Sequence, residues 1–258
     1  MPETYFFKDV TLLITHYNRS SSLERLLSSF RTLHAKFDDI VVSDDGSKSE
    51  HLDKLQSLRH EYGFQLITAH QNRGLGNNIN KGQDAVKTLY TLYVQEDFVP
   101  NPGFMPHFSD ALEIIRNSDD IDIIRFYAYV RYPCLEPFKK GFSEMKFKAW
   151  IPGHFKFLQY SDHPHLRRSN FLEKFGRYAE GLKGDDTEYR MVISFIQKKG
   201  KALFYDDFKG LFEQKNSAVE PSTMKRNFWR ESDNFFIAVL REMYRFLKFN
   251  YDYLFMRT

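Results

Sequence analysis

Three acidic pairs and one polar cluster stand out in this chain of 258 residues. Asp44 and Asp45 lie in VVSDDGS, Glu96 and Asp97 in YVQEDFVP, and Asp185 and Asp186 in GDDTEYR. TLLITHYNRS delivers Thr15, Tyr17, Asn18 and Arg19 behind an apolar run. A carboxylate can accept a proton, hold a hard divalent cation, or take hydrogen bonds from a base or sugar hydroxyl. An arginine can meet a phosphate and a tyrosine can stack on a ring. Together these residue types suit group transfer from a phosphorylated donor. Each patch also has a plainer explanation: Asp-Asp-Gly-Ser makes an ordinary turn, and Glu96 and Asp97 an exposed acidic turn before Pro100. Thr15, Tyr17 and Arg19 read as ordinary loop polars with a solvated arginine, and Asp185 and Asp186 suit the first turn of a helix, where the dipole favours anions.

What must position them is a repeating strand and helix pattern. The apolar residues 12–15 read as a strand, Ser20 to Ser22 offer capping hydroxyls, and Leu23, Leu26, Leu27, Phe30 and Leu33 follow at helical spacing. Residues 39–43 give a second strand. Ser47 or Ser49 can cap a helix carrying Leu52, Leu55 and Leu58, which stops near Gly63. A strand at residues 64–69, a helix at 77–89 and a strand at 89–94 continue the alternation. This predicts a parallel half-sheet with right-handed crossovers and polar groups gathered at its carboxyl edge. Pro100, Pro102 and Gly103 break the chain before a helix at 104–116, and residues 121–130 alternate as a strand. Residues 131–168 read as irregular. Helices at 169–175 and 186–199 and a strand at 202–205 complete the pattern.

These patches, in this order, resemble family 2 glycosyltransferases of the GT-A fold over roughly residues 8–205. The resemblance implies an α/β, Rossmann-like mixed sheet with mostly parallel strands flanked by helices. It implies a glycosyltransferase domain at residues 1–222, with a donor-binding half at 1–100 and an acceptor-side half at 101–222, and an amphipathic helical extension at 223–258. The activity implied is inverting transfer of a hexose from a nucleoside diphosphate sugar, a UDP-sugar by preference, to a hydroxyl of a glycan or lipid-linked acceptor. A bacterial polysaccharide pathway suits that activity.

Residue by residue, the resemblance makes Asp45 the acceptor of the pyrimidine N3 proton and Asp44 a holder of its loop. Thr15 and Tyr17 line the nucleotide, and Arg19 meets the diphosphate. Asp97 binds Mn²⁺ or Mg²⁺. Gln95 stands where a leading Asp is common, which leaves Glu96 to bond ribose or orient water. Asn72, Gly74 and Asn80 shape the floor of the donor site, although Ile79 stands where a family arginine is common. Asp186 matches the catalytic base, with Asp185 second in line, and partial burial beside Asp185 is expected to raise its proton affinity. Residues 162–165 (Asp-His-Pro-His) are either a solvated loop or an element through which His163 or His165 reaches the metal. Trp150, Phe155 and Tyr160 either stack on an acceptor or pack. Two other functions stay open at this point: a sugar nucleotidyltransferase, against which residues 15–21 lack the glycine-rich loop, and a non-catalytic sugar-nucleotide binder or scaffold of the same fold.

Charge and composition narrow the partners. A net charge of +3 and a pI near 8.7 are too mild for duplex nucleic acid. The single Cys134 forms no intrachain disulfide. No stretch reaches the roughly 18–20 apolar residues of a membrane span and no apolar leader follows Met1, so a cytoplasmic protein is expected. The tail places Phe236, Val239, Leu240, Met243 and Leu247 on one helical face, for packing on its own domain, peripheral membrane contact or a homodimer.

Overall fold

The computed structural model describes residues 4–216, 220 and 235–257. Strands β1 (Tyr5–His16), β2 (Ala35–Asp44), β3 (Gln65–Ile67) and β4 (Tyr90–Gln95) alternate with helices α1 (Ser20–Thr32), α2 (Ser49–Tyr62) and α3 (Leu75–Asp84). Then come β5 (Phe98–Pro100), α4 (Phe104–Arg116), β6 (Ile123–Arg125), β7 (Leu135–Lys139), β8 (Phe142–Met145) and β9 (His165–Arg168). Helices α5 (Phe171–Phe175) and α6 (Gly184–Gln197), strands β10 (Ala202–Tyr205) and β11 (Phe212–Gln214), and a C-terminal helix α7 (Phe235–Phe255) follow.

One nine-stranded sheet, ordered β3-β2-β1-β4-β9-β6-β10-β8-β7, runs through the molecule. Its first four strands are mutually parallel, as their helical crossovers require. Side chains alternate across it with period two. Leu12, Ile14, Val42, Leu92 and Val94 enter one core with residues of α1, α2 and α4. Leu13, Val41 and Tyr93 enter a second core with residues of α3, α5 and α6. Each fully buried aliphatic side chain contributes about 1.5–3 kcal/mol to holding these layers together. The mixed, Rossmann-like α/β architecture expected from the sequence is present.

Several local expectations are corrected. Residues 131–168 are not irregular: they contain β7, β8 and β9, and β9 sits antiparallel between β4 and β6. The strand expected over 121–130 shrinks to β6, and the helix expected over 77–89 begins earlier and ends at Asp84. The Ser20 to Ser22 hydroxyls do not cap α1. Its N–H groups at Ser21 and Ser22 instead donate to the two carboxylate oxygens of Glu220, each at 2.9 Å. Neither Ser47 nor Ser49 caps α2, whose N-cap is Lys48.

The boundary drawn between residues 222 and 223 lies outside the described residues, as does the Phe236 side chain. Helix α7 does pack on its own domain, but with a different face from the one expected. Phe249, Tyr253 and Met256 join the second core, and Gln197 donates to the carbonyls of Tyr253 and Met256 at 2.9 and 2.8 Å. Val239, Leu240, Met243 and Leu247 stay exposed. Among the described residues no helix is long and apolar enough to cross a membrane.

Candidate active site

Parallel strands β1, β2 and β4 end at the same edge, with Thr15 opposite both Ser43 and Gln95 and His16 opposite Asp44. Beyond that edge lies a cleft of about 1020 Å³. Of the site residues expected from sequence, Thr15, Tyr17, Arg19, Asp45, Asn72, Gly74, Glu96, Asp97, Asp185 and Asp186 all line it. Asp44 lies behind the wall, fully buried.

Asp44 ties the strand ends into one rigid turn. It accepts from His16 Nδ1 at 2.8 Å, from the Gly46 and Ser47 N–H groups at 3.1 and 3.0 Å, and from the Ser47 hydroxyl. Burial works to raise its pKa, but the bonds from His16 and Ser47 outweigh it and hold the carboxyl below its ordinary value. Gly46 has φ +70°, and a Cβ there would stand 2.5 Å from the Gln71 carbonyl carbon, so only glycine fits. Asn18, at φ 52°, adopts the left-handed conformation that asparagine tolerates. Its side chain accepts from the Lys48 N–H while its own N–H donates to Ser47, and this turns Arg19 into the cleft.

Asp45 faces the cleft with both oxygens partly engaged, accepting from the N–H groups of Arg73 and Gly74 at 2.9 Å each. Burial raises its pKa in spite of those bonds. The carboxylate thereby fixes the loop carrying Asn72, whose Oδ1 also accepts from the Gly74 N–H. Asn80 does not form part of the floor. It is buried and bonds the backbone of Tyr178 and the carboxylate of Glu180, clamping α3 to the loop before α6. Gly76 lets that clamp close, since a Cβ there would meet the Ala179 carbonyl oxygen at 2.3 Å.

Across the cleft, Asp97 Oδ2 accepts from Gln214 at 2.8 Å and lies 3.2 Å from the Arg19 guanidinium. Its Oδ1 is buried with no hydrogen-bond partner among the described residues. Arg19 is not a solvated loop residue: it is buried, 3.7 Å from Glu96, and donates to Asn216 and to the Glu220 carbonyl. Burial, together with the neighbouring charge of Asp97, pushes Glu96 up to about 8 even though Arg19 opposes the shift. Thr15 bonds the Tyr93 hydroxyl at 3.0 Å rather than standing free.

On the third side, α6 begins at Gly184 and carries Asp185 and Asp186 in its first turn. Asp185 is half-buried and Asp186 exposed, so the partial burial expected for Asp186 is absent. The segment 162–165 is not a solvated loop. Asp162 is buried, bonds the Tyr160 hydroxyl at 2.6 Å, and is pushed up to about 8 by burial and by Glu188. His163 lies edge-on to Phe98, Tyr127 and Tyr129 and is driven down to about 3 by burial and by Arg125. Both line the cleft, whereas His165 is fully buried against Tyr93 and Tyr160. Tyr160 is likewise core, and Trp150 and Phe155 point to solvent away from the cleft.

Sequence reasoning missed Gln214, Tyr129, Glu188 and Arg245, which also line the cleft. Glu188 was within reach, since it sits two residues beyond Asp186 in the same acidic patch. The others come from remote segments with no local signature.

This set of acids and strand ends has known counterparts. The sequence model of glycosyl transferase family 2 matches residues 11–159. The chain belongs to this family. It is a glycosyltransferase, and the nucleotidyltransferase reading of the sequence falls away. Its relatives include the cholesterol galactosyltransferase of Borreliella burgdorferi, 21% identical over 278 residues that span 95% of this chain and 76% of that protein. The fold superposes on Staphylococcus aureus TarS solved with UDP-GlcNAc at TM-score 0.57 and 15% identity, covering 94% of this chain and 72% of that one. It also superposes on the Pyrobaculum calidifontis mannosyltransferase PcManGT, solved with GDP-Man and Mn²⁺, at TM-score 0.54 and 11% identity, over 78% of this chain and 55% of that one. The fold is GT-A.

Proposed function

We propose that this family 2 enzyme inverts the anomeric centre as it moves a hexose from a nucleoside diphosphate sugar, a UDP-sugar by preference, to an acceptor hydroxyl. The observation that carries the reading is the convergence of Asp45, Asp97 and Asp186, remote in sequence, on one cleft large enough for a nucleotide sugar. Asp45 and Thr15, with the Tyr17 ring, hold base and ribose, and Arg19 faces the diphosphate. This donor half is residues 1–100, and residues 101–222 supply the acceptor side. That TarS binds UDP-GlcNAc supports the choice of donor class.

The cleft's donor set fits a divalent cation held through one protein carboxylate. Asp97 presents a buried Oδ1 with no hydrogen-bond partner among the described residues, the kind of hard oxygen a divalent cation takes. Among the described residues no group of three His, Cys, Asp or Glu could hold a metal alone. Asp97 would hold Mn²⁺ or Mg²⁺, hard cations that accept phosphate and water oxygens as further ligands. When bound, such an ion neutralises charge on the departing diphosphate.

Asp186 takes the proton from the acceptor hydroxyl as its oxygen attacks the anomeric carbon opposite the leaving group. Its exposed position in the first turn of α6, on the wall of the cleft, leaves it accessible to an acceptor hydroxyl. Asp185 beside it is the second candidate. The acceptor is a glycan or a lipid-linked hydroxyl, the latter in keeping with the sterol named for the Borreliella relative.

The test pairs two substitutions. Asp186→Asn is expected to lower transfer by roughly 10²–10⁴-fold while leaving nucleotide affinity nearly unchanged. Asp97→Ala is expected to weaken metal-dependent nucleotide binding instead. Full activity in both variants overturns the assignment.

A further inference from the structure

A second cavity, of about 760 Å³, opens beside the first and shares Asp185, Asp186, Glu188 and Arg245 with it. Its far wall belongs to α7, through Ile237, Leu240, Tyr244 and Phe249. Nothing in the donor chemistry needs this space, yet it reaches the two carboxylates at which the acceptor hydroxyl is activated.

The outer side of the same helix is apolar and exposed among the described residues. Leu240, Tyr244, Leu247, Tyr251 and Leu254 recur at alternating four- and three-residue steps, and each is 60–66% exposed. Met243, Phe255 and Val239 widen the stripe to somewhat under half the helix circumference, and at its far edge Phe246 and Asn250 meet Lys156 of the domain. None of the charged residues of the helix lies on that half. The opposite side is spoken for by Phe249, Tyr253 and Met256 in the core and by the Tyr189 hydroxyl bonded to Asp252 at 2.6 Å. Arg241, Arg245 and Lys248 lie along the edge of the stripe that borders the cavity.

Two occupants fit an apolar helix face: a second copy, through a coiled-coil seam, or a lipid surface. The residue types decide between them. A seam needs only two apolar positions per heptad, and a tyrosine at every other one would bury its hydroxyl. An arc this broad, with tyrosines whose hydroxyls stay hydrated and basic side chains along one border, matches a helix lying in the bilayer interface.

We propose that α7 lies in the surface of an anionic membrane. The second cavity is then the subsite through which a hydroxyl-bearing lipid of that membrane reaches Asp185 and Asp186. The apolar body of the lipid lies against Leu240, Tyr244 and Phe249, and a headgroup phosphate, where present, meets Arg241 and Arg245. Leu240 and Tyr244 belong to both the stripe and the cavity wall, so the path from bilayer to carboxylates is continuous. This names the acceptor class for the transfer proposed above and rests on that reading.

The test is flotation with vesicles of phosphatidylcholine and phosphatidylglycerol in equal amounts, using the full chain and the double variant Leu247→Asp, Leu254→Asp. Both positions lie on the stripe and outside the cavity. Wild-type protein is expected to float, and the variant's partition coefficient to fall by roughly a hundredfold, about tenfold per leucine lost. Donor-nucleotide binding, measured alongside by thermal shift, is expected to be equal in the two proteins. The inference is overturned if wild-type protein does not float, if the variant floats equally, or if light scattering shows a wild-type dimer that the variant abolishes. Should flotation fail while the nucleotide still binds, only the lipid inference falls. Should the nucleotide not bind, the transfer reading beneath it falls.

Discussion

Replacing Glu96 by glutamine tests the electrostatics of the cleft without changing its shape. Burial and the charge of Asp97 move Glu96 from an ordinary 4.5 to about 8. The fold therefore favours the protonated form. Between those two values the native protein keeps a proton that the unfolded chain has released, so stability falls as pH rises, at about 1.4 kcal/mol per pH unit for one such group. The contribution is fully present below about pH 4.5 and is lost by about pH 8, with a ceiling of about 5 kcal/mol. Asp162, also raised to about 8, adds a second slope of the same sign. Glutamine cannot release a proton, so the Glu96→Gln variant should lose only Glu96's share of the slope. Urea unfolding of both proteins at half-unit steps across this window measures it. The variant should match wild type near the acidic end and become progressively more stable toward pH 8. Parallel stability curves for the two proteins would refute the reasoning, because every other titrating group is common to both.

Two further outcomes concern the scaffold that holds the site. Glu220→Gln removes the charge that caps two N–H groups and the Ser22 hydroxyl at the start of α1. It should cost about 0.5–2 kcal/mol in urea unfolding. Gly76→Ala forces a methyl toward the Ala179 carbonyl that it would meet at 2.3 Å. It should destabilise by about 1–3 kcal/mol and loosen the loop before α6, which calorimetry and limited proteolysis read directly.

The half of the fold that was legible in the sequence is the half where burial and periodicity agree. Residues 12–15 and 90–94 are mostly apolar because these central strands are covered on both faces, and α4 was bounded by Pro102 and Gly103 before it and an apolar stripe within it. Strand β9 was hidden because its residues, His-Leu-Arg-Arg, look like a solvated stretch. In the structure Arg167 is fully buried, donating to Gln83 and Tyr178, and Arg168 satisfies the carbonyls of Ile115, Ser118 and Ile121. No apolar pattern announces a strand built on paired guanidinium groups. The Glu220 cap was hidden for another reason: the contact spans some 200 residues, and capping signals are read locally.

At the site, acids at strand ends were legible because open α/β sheets deliver ligands there. Gln214, which steadies Asp97 from 117 residues away, had no such marker. In α7 periodicity pointed to the face of Val239, Leu240, Met243 and Leu247, which is exposed. Aromatic contacts such as Phe157 with Phe249 and Phe147 with Tyr253 selected the other.

The central claim is that one cleft, walled by Asp45, Asp97 and Asp186, binds a nucleoside diphosphate with a divalent cation. Thermal unfolding with UDP in the presence and absence of Mn²⁺ tests it most directly. At a ligand concentration about a hundredfold above Kd, binding should add about 2.7 kcal/mol and raise Tm by roughly 5–10 °C, and Asp97→Ala should remove the part that needs Mn²⁺. A melting temperature unmoved by UDP, GDP and their sugars, with the cation and without it, would contradict the account.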